Sequence, residues 1–197
     1  CPRLGVVAAY AFGRGIKINC NVMMSRNDRR AFLFRILIDY FDYLENSFLT
    51  FIIPKFDYSL KKQIYSNKKI YLIDNALAIN LGFRISEDLG RLLENLVFIE
   101  LKRRKKEIFY FQEKNECDFV IREGIKIVEA IQVCYDFNDK NKQREINGLL
   151  EALRKFKLKE GLILTHGQEE EIKIEKKLIR IVPTWKWLLN KDNYSAF

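Results

Sequence analysis

The sequence predicts an α/β protein in which a core of order α-β-β-β-α-β follows a smaller N-terminal segment. Three observations carry that prediction. Residues 88–104 place apolar side chains at helical spacing, with Leu89, Leu92, Leu93, Leu96, Val97, Ile99 and Leu101 on one broad face. Three strand-like runs follow in quick succession, at 107–112, 116–122 and 127–134. A second helical run at 139–157 then leads into a compact apolar run at 161–165. The boundary is expected near residue 75, giving an N-terminal segment 1–75 and a core domain 76–197.

Each element has a local reason. Gly5, Gly13 and Gly15 interrupt residues 1–27, and Gly13-Arg14-Gly15-Ile16-Lys17 lacks the spacing of a Walker A phosphate loop, so no nucleotide site is expected. Asn27 or Asp28 can cap a helix running to about residue 46, with Phe32, Ile36, Tyr40, Tyr43 and Leu44 on one face. Arg26, Arg29 and Arg30 at its start read either as a DNA-contacting turn or as a solvated helix end. A strand at 48–53 is expected to stop at Pro54, which has no N–H to donate. Lys55, Lys61 and Lys62 then interleave with Phe56 and Tyr58. That mixture suits phosphate contacts with base stacking, or an ordinary loop with anchored aromatics. A further strand at 69–73 ends at Asp74-Asn75. A helix followed by two strands reads as a winged-helix-like remnant.

In the core, Ser86 is the expected cap of the central helix, and Glu87 and Asp88 put negative charge in its first turn. Five cations, Lys102 to Lys106, close it. Two or three complement the helix C-terminus; the rest repel one another and point to a nearby polyanion. Glu123-Gly124 makes a hairpin turn. The second helix carries Ile146, Leu149, Leu150, Leu153 and Phe156 on its inner face. Residues 169–182 read as a charged hairpin at the sheet edge. Pro183 opens a short final helix whose Trp185 and Trp187 are expected to seal the core.

Composition bounds the partners. Of 197 residues, 48% are hydrophobic, enough for a packed core, and 3 prolines and 9 glycines leave little room for disordered linkers. The net charge of +9 favours nucleic acid or another polyanion. Cys1, Cys20, Cys117 and Cys134 form no CxxC pair and there is one histidine, His166, so a structural zinc site is not expected. Reduced thiols and the absence of a signal peptide point to the cytoplasm. No apolar run approaches the roughly 20 residues of a membrane helix, so no membrane partner is expected. The chain begins at Cys1 rather than Met, which makes a longer parent protein the expectation.

One constellation can carry chemistry. Asp118 sits at a strand start and Gln132 on the next strand, and neighbouring antiparallel strands can bring both side chains to one face. Glu94 can project toward them from the central helix. Two carboxylates and an amide oxygen suit Mg²⁺, which can polarise a phosphoryl oxygen and activate water. Glu94, Asp118 and Gln132 are therefore the catalytic and metal candidates. Lys61, Lys62, Arg103, Arg104, Lys105 and Arg144 are the nucleic-acid candidates.

This order and these residues resemble the PD-(D/E)XK nuclease superfamily. The resemblance implies a restriction-endonuclease-like core with a Glu in the first helix, an Asp at the second strand, and a Glu or Gln two residues before a Lys on the third. More closely, the chain resembles the DUF4143 C-terminal domain of archaeal and bacterial AAA-type ATPases. The stretches that carry this are Tyr43-Leu44-Glu45 to Pro54-Lys55-Phe56, Tyr71-Leu72-Ile73-Asp74-Asn75, Gly90-Arg91-Leu92-Leu93-Glu94-Asn95 and Glu116-Cys117-Asp118-Phe119-Val120. Ile131-Gln132-Val133-Cys134-Tyr135, with Arg144-Glu145 further on, fits the archaeal branch. The resemblance covers roughly residues 40–165 and implies an ATPase domain upstream.

The departure from the nuclease pattern is Cys134, which stands where the Lys would position the attacking water. A thiol cannot act as that cation. Lys142 or Arg144, from the next helix, is the candidate substitute. The plain structural roles are a packing partner for Glu94, a strand-end turn former for Asp118 and a backbone-bonded amide for Gln132. Arg144 and Glu145 would then pair with Glu116 or Asp118. The expected function is a nucleic-acid-binding, nuclease-like accessory domain with weak or absent catalysis. The alternatives are an active Mg²⁺-dependent DNA nuclease and a non-catalytic protein-interaction module.

Overall fold

The computed structural model describes residue 40 and residues 42–80 and 89–189. The chain divides into two compact units, Cys1–Ser86 and Glu87–Phe197. The readings of residues 1–27, of Arg26, Arg29 and Arg30, and of the Ser86 cap with Glu87 and Asp88 lie outside the described residues.

In the N-terminal unit, residues 42–46 are helical. There follow β1 (Thr50–Pro54), α1 (Leu60–Tyr65), β2 (Lys68–Leu72) and α2 (Asn75–Asn80). β1 and β2 pair antiparallel from Thr50↔Leu72 to Pro54↔Lys68. Pro54 ends the strand from within rather than stopping it beforehand. Each strand of a two-stranded sheet has an open edge, where a missing N–H leaves no ladder bond unmade. Lys61 and Lys62 lie on α1, a helix inserted between the two strands, and not on a loop. Ile53, Phe56, Tyr71 and Leu72 are buried in this unit. Asp74 Oδ1 accepts the Ala76 N–H at 2.6 Å and so starts α2.

The C-terminal unit contains α3 (Leu89–Arg103), β3 (Glu107–Gln112), β4 (Glu116–Glu123), β5 (Lys126–Val133), α4 (Lys142–Lys155), β6 (Glu160–Thr165), β7 (Glu170–Ile174), β8 (Lys177–Pro183) and α5 (Thr184–Leu189). Its first six elements run α-β-β-β-α-β, the order read from periodicity. They build one six-stranded mixed sheet, β3-β4-β5-β6-β8-β7. β3, β4 and β5 are antiparallel neighbours; β5, β6 and β8 run parallel; β7 closes the far edge antiparallel to β8. The hairpin at 170–183 is thus only half an edge. Glu-rich β7 takes the edge, whereas β8 buries Ile179, Ile181 and Val182 between β6 and β7.

Two helices position the ends of β4 and β5. α3 packs on β3 and β5, and its Phe98 stacks on Phe119 with ring centroids 6.5 Å apart. α4 crosses β3 to β6 and buries Ile146, Leu149, Leu150 and Leu153. It approaches so closely that a Cβ at Gly148 would lie 2.1 Å from the Glu116 carbonyl oxygen. Glu151 on the same helix accepts the Lys114 N–H at 2.7 Å and the Asn115 N–H at 3.0 Å, tying the β3–β4 turn to α4. On α5, Trp187 is buried under the Arg104 guanidinium at 4.3 Å, but Trp185 is 58% exposed. The expectation that both tryptophans seal the core fails because two helical steps of about 100° turn their side chains apart.

Candidate functional site

The backbone departs from regularity where Asp118 lies. Across β3 and β4 the register passes from Phe109↔Val120 to Phe111↔Cys117, so two steps on β3 face three on β4. The extra residue of this bulge falls at Asp118-Phe119. A bulge re-aims the side chains it contains. The β4–β5 ladder stops at Phe119↔Ile131, and beyond it side chains replace the backbone bonds. Gln132 Oε1 accepts the Asp118 N–H at 3.1 Å, and Asp118 Oδ2 accepts the Val133 N–H at 3.0 Å.

The network continues into α4. Gln132 Nε2 donates to Glu145 Oε2 at 2.6 Å, and Arg144 donates to Glu145 Oε1 at 2.5 and 3.0 Å. Asp118, Gln132 and Glu145 are buried, while the Arg144 side chain is 79% exposed. The orientation of the Gln132 amide is dictated chemically: its oxygen faces an N–H and its nitrogen a carboxylate. A buried carboxylate carries a heavy desolvation cost unless bonded, and both oxygens of Glu145 are bonded. The Glu145 carboxylate in turn holds the Arg144 guanidinium above its usual range.

Cys134 follows two residues after Gln132. Its N–H donates to the Leu164 carbonyl at 2.9 Å, pairing β5 with β6, and its Sγ lies 3.4 Å from the Asp136 carbonyl. Burial, and then the Glu145 charge, push the thiol up to about 11, with Arg144 working in the opposite direction. At neutral pH it is therefore an uncharged thiol, neither cation nor thiolate. Beyond it Tyr135 and His166 stack with ring centroids 4.7 Å apart, and Gln168 bonds both the N–H and the carbonyl of Phe137. His166 is exposed and follows the end of β6.

The expected residues stand as follows. Asp118 and Gln132 are brought together directly. Glu94 lies half-buried on α3, one turn before Phe98. Lys142 sits 5.5 Å from the Phe137 ring and 3.7 Å from Glu170, away from the network. Arg144 pairs with its neighbour Glu145, and Glu145 with Gln132; of the partners read from sequence, Glu116 or Asp118, the Asp118 charge also acts on Arg144. Glu145 is the residue sequence reasoning assigned to no site. Its signal was its place in the first turn of the helix after the Gln132 strand.

Of the basic candidates, Arg103 and Arg104 each contact Glu100 at 2.6 Å, since that carboxylate lies three and four residues back on α3. Lys106 bridges Glu123 and Glu129 at 3.0 and 3.2 Å. Lys105 is exposed, with φ 57° at the helix end. Internal partners thus account for cations that the sequence assigned to a polyanion. Lys61 and Lys62 are exposed.

Most oxygens of the Asp118–Gln132–Glu145 network are engaged by nitrogen donors, unlike an open Mg²⁺ site. Gln132 Oε1 is turned onto a backbone N–H, Asp118 Oδ2 onto another, and both Glu145 oxygens onto nitrogen donors. Hard cations need oxygens aimed at a common point. Among the described residues, no three His, Cys, Asp or Glu side chains are grouped to hold a metal.

A mixed α/β unit with a strand-end network of Asp, Gln, Glu and Arg defines the structural class. The chain belongs to the family described as "Domain of unknown function (DUF4143)", which matches residues 89–187. It is similar to an uncharacterised protein of Methanocaldococcus jannaschii, 41% identical over 164 residues, covering 78% of this chain and 36% of that protein. An uncharacterised protein of Haemophilus influenzae is 28% identical over 151 residues, covering 76% of this chain and 36% of that protein. The chain therefore spans about a third of the length of these relatives. No helix among the described residues is long and apolar enough to cross a membrane.

Proposed function

We propose that this chain is a nucleic-acid-binding accessory domain with a restriction-endonuclease-like core, carried by a longer AAA-type ATPase, in which the nuclease pocket has become a closed, non-catalytic network. The observation that carries this reading is the Asp118–Gln132–Glu145–Arg144 chain of hydrogen bonds with neutral Cys134 beside it. In a nuclease of this kind, carboxylate and amide oxygens face a metal and a lysine faces the attacking water. Here the equivalent oxygens cap backbone N–H groups and no cation follows Gln132. Supporting it are the α-β-β-β-α-β order, membership of the family, relatives with room for further domains, and the net charge of +9.

The test is DNA cleavage with Mg²⁺ or Mn²⁺. The wild type is expected to leave DNA intact while binding it, with an affinity that falls steeply as salt rises. Asp118→Asn is the proper control, because Asn keeps an acceptor for the Val133 N–H whereas Ala would orphan it. Metal-dependent cleavage lost in Asp118→Asn would instead establish an active nuclease. Failure to bind any nucleic acid, with a stable protein complex, would favour an interaction module.

A further inference from the structure

We infer that the nucleic-acid surface lies on the N-terminal unit, at α1 and its flanks, and that it takes single-stranded nucleic acid; this rests on the binding reading above. Charge is the first observation. Residues 1–86 hold 13 Lys and Arg against 6 Asp and Glu, whereas residues 87–197 hold 22 against 20. Most of the excess belongs to the smaller unit, whose described residues hold five Lys against four Asp and Glu.

Pairing is the second. In the C-terminal unit Arg103, Arg104, Lys106, Arg122, Arg144 and Arg154 are ion-paired, while Lys105, Lys126 and Lys140 enter no ion pair among the described residues. In the N-terminal unit Lys55, Lys61, Lys62 and Lys68 enter no ion pair among the described residues. Three acids there accept backbone N–H groups, Asp57 from Ser59 at 2.9 Å, Asp74 from Ala76 and Glu45 from Ile52 at 3.3 Å, and Asp42 is exposed. A cation already neutralised within the protein gains little from a phosphate. An unpaired one releases the phosphate's counterion.

Exposed rings are the third. Tyr58 is 73% and Tyr65 49% exposed. Tyr58 makes a T-shaped contact with buried Phe56, ring centroids 5.3 Å apart at 81°. Lys61 and Tyr65 stand one turn apart on α1. The helix buries none of its residues, and Leu60 and Ile64 add exposed apolar surface. Tyrosines spaced around unpaired lysines suit bases whose faces are free, as in a single strand. A duplex offers such a surface its phosphates alone.

The experiment measures anisotropy of a labelled oligothymidylate of about 15 nucleotides and of the matching duplex, using the whole 197-residue chain. The single strand is expected to bind tighter than the duplex. Tyr58→Ala and Tyr65→Ala should each weaken it by about five- to a hundredfold and leave duplex binding unchanged. Lys61→Ala with Lys62→Ala should flatten the log K against log salt slope by about 0.7 per lysine. These side chains are exposed, and unchanged thermal melts confirm folding. Wild-type binding that all four substitutions leave intact overturns this placement but not the binding reading. A wild type that binds neither strand form overturns both.

Discussion

At the residue scale, Gln132 is the hinge of the site because one amide serves two opposite needs. Its oxygen satisfies the Asp118 N–H and its nitrogen satisfies Glu145. Gln132→Ala should lower stability by about 1–3 kcal/mol for each buried group left unpaired, read by denaturant melts. Gln132→Glu should cost at least as much at neutral pH, since a second carboxylate would face Glu145. Cys134 gives a separate pH signature. Its thiol is raised from 9.0 to about 11, so the unfolded chain loses this proton first and stability falls as pH rises from 9 to 11. The stability difference between wild type and Cys134→Ala should shrink across that window.

At the element scale, close approach and left-handed helix ends decide the geometry. Gly148→Ala would drive a methyl group into the Glu116 carbonyl, so α4 must shift away from the start of β4. A cost of about 1–3 kcal/mol is expected, with a changed Gln132 environment by NMR. α4 ends in a Schellman motif, with Leu158 N–H to the Leu153 carbonyl at 3.0 Å and Lys157 N–H to the Arg154 carbonyl at 3.3 Å. Lys157 holds the left-handed position, φ 58°, that glycine adopts without strain. Lys157→Gly should therefore raise the melting temperature, by the equivalent of about 1 kcal/mol. The extent of α3, β3 and β4 was legible because apolar periodicity marks each; the bulge at Asp118 was not. A bulge is a mismatch between two strands and leaves no mark in either run alone.

At the scale of the whole molecule, the two units carry different chemistry. The C-terminal unit has its own six-stranded sheet and core. Residues 87–197 expressed alone should melt cooperatively, checked by circular dichroism. With an excess of two positive charges, that fragment should bind nucleic acid more weakly and with a shallower salt slope than the full chain. Net charge was readable from composition, but its division was not interpretable until ion pairs were known. Glu100 claims two arginines and Glu123 and Glu129 share a lysine, so the most basic run of the sequence is largely neutralised.

The sequence by itself determined the order α-β-β-β-α-β and the presence of Asp118 and Gln132 on adjacent strands. Local periodicity and turn residues suffice for both, because they act over a few neighbours. Only the tertiary structure decided where the polar atoms of those side chains turn. That choice depends on which N–H groups the diverging strands leave open, and on a carboxylate from a helix 13 residues further on. Hydrogen-bond satisfaction in a buried site is settled by partners distant in sequence, and composition carries no record of them.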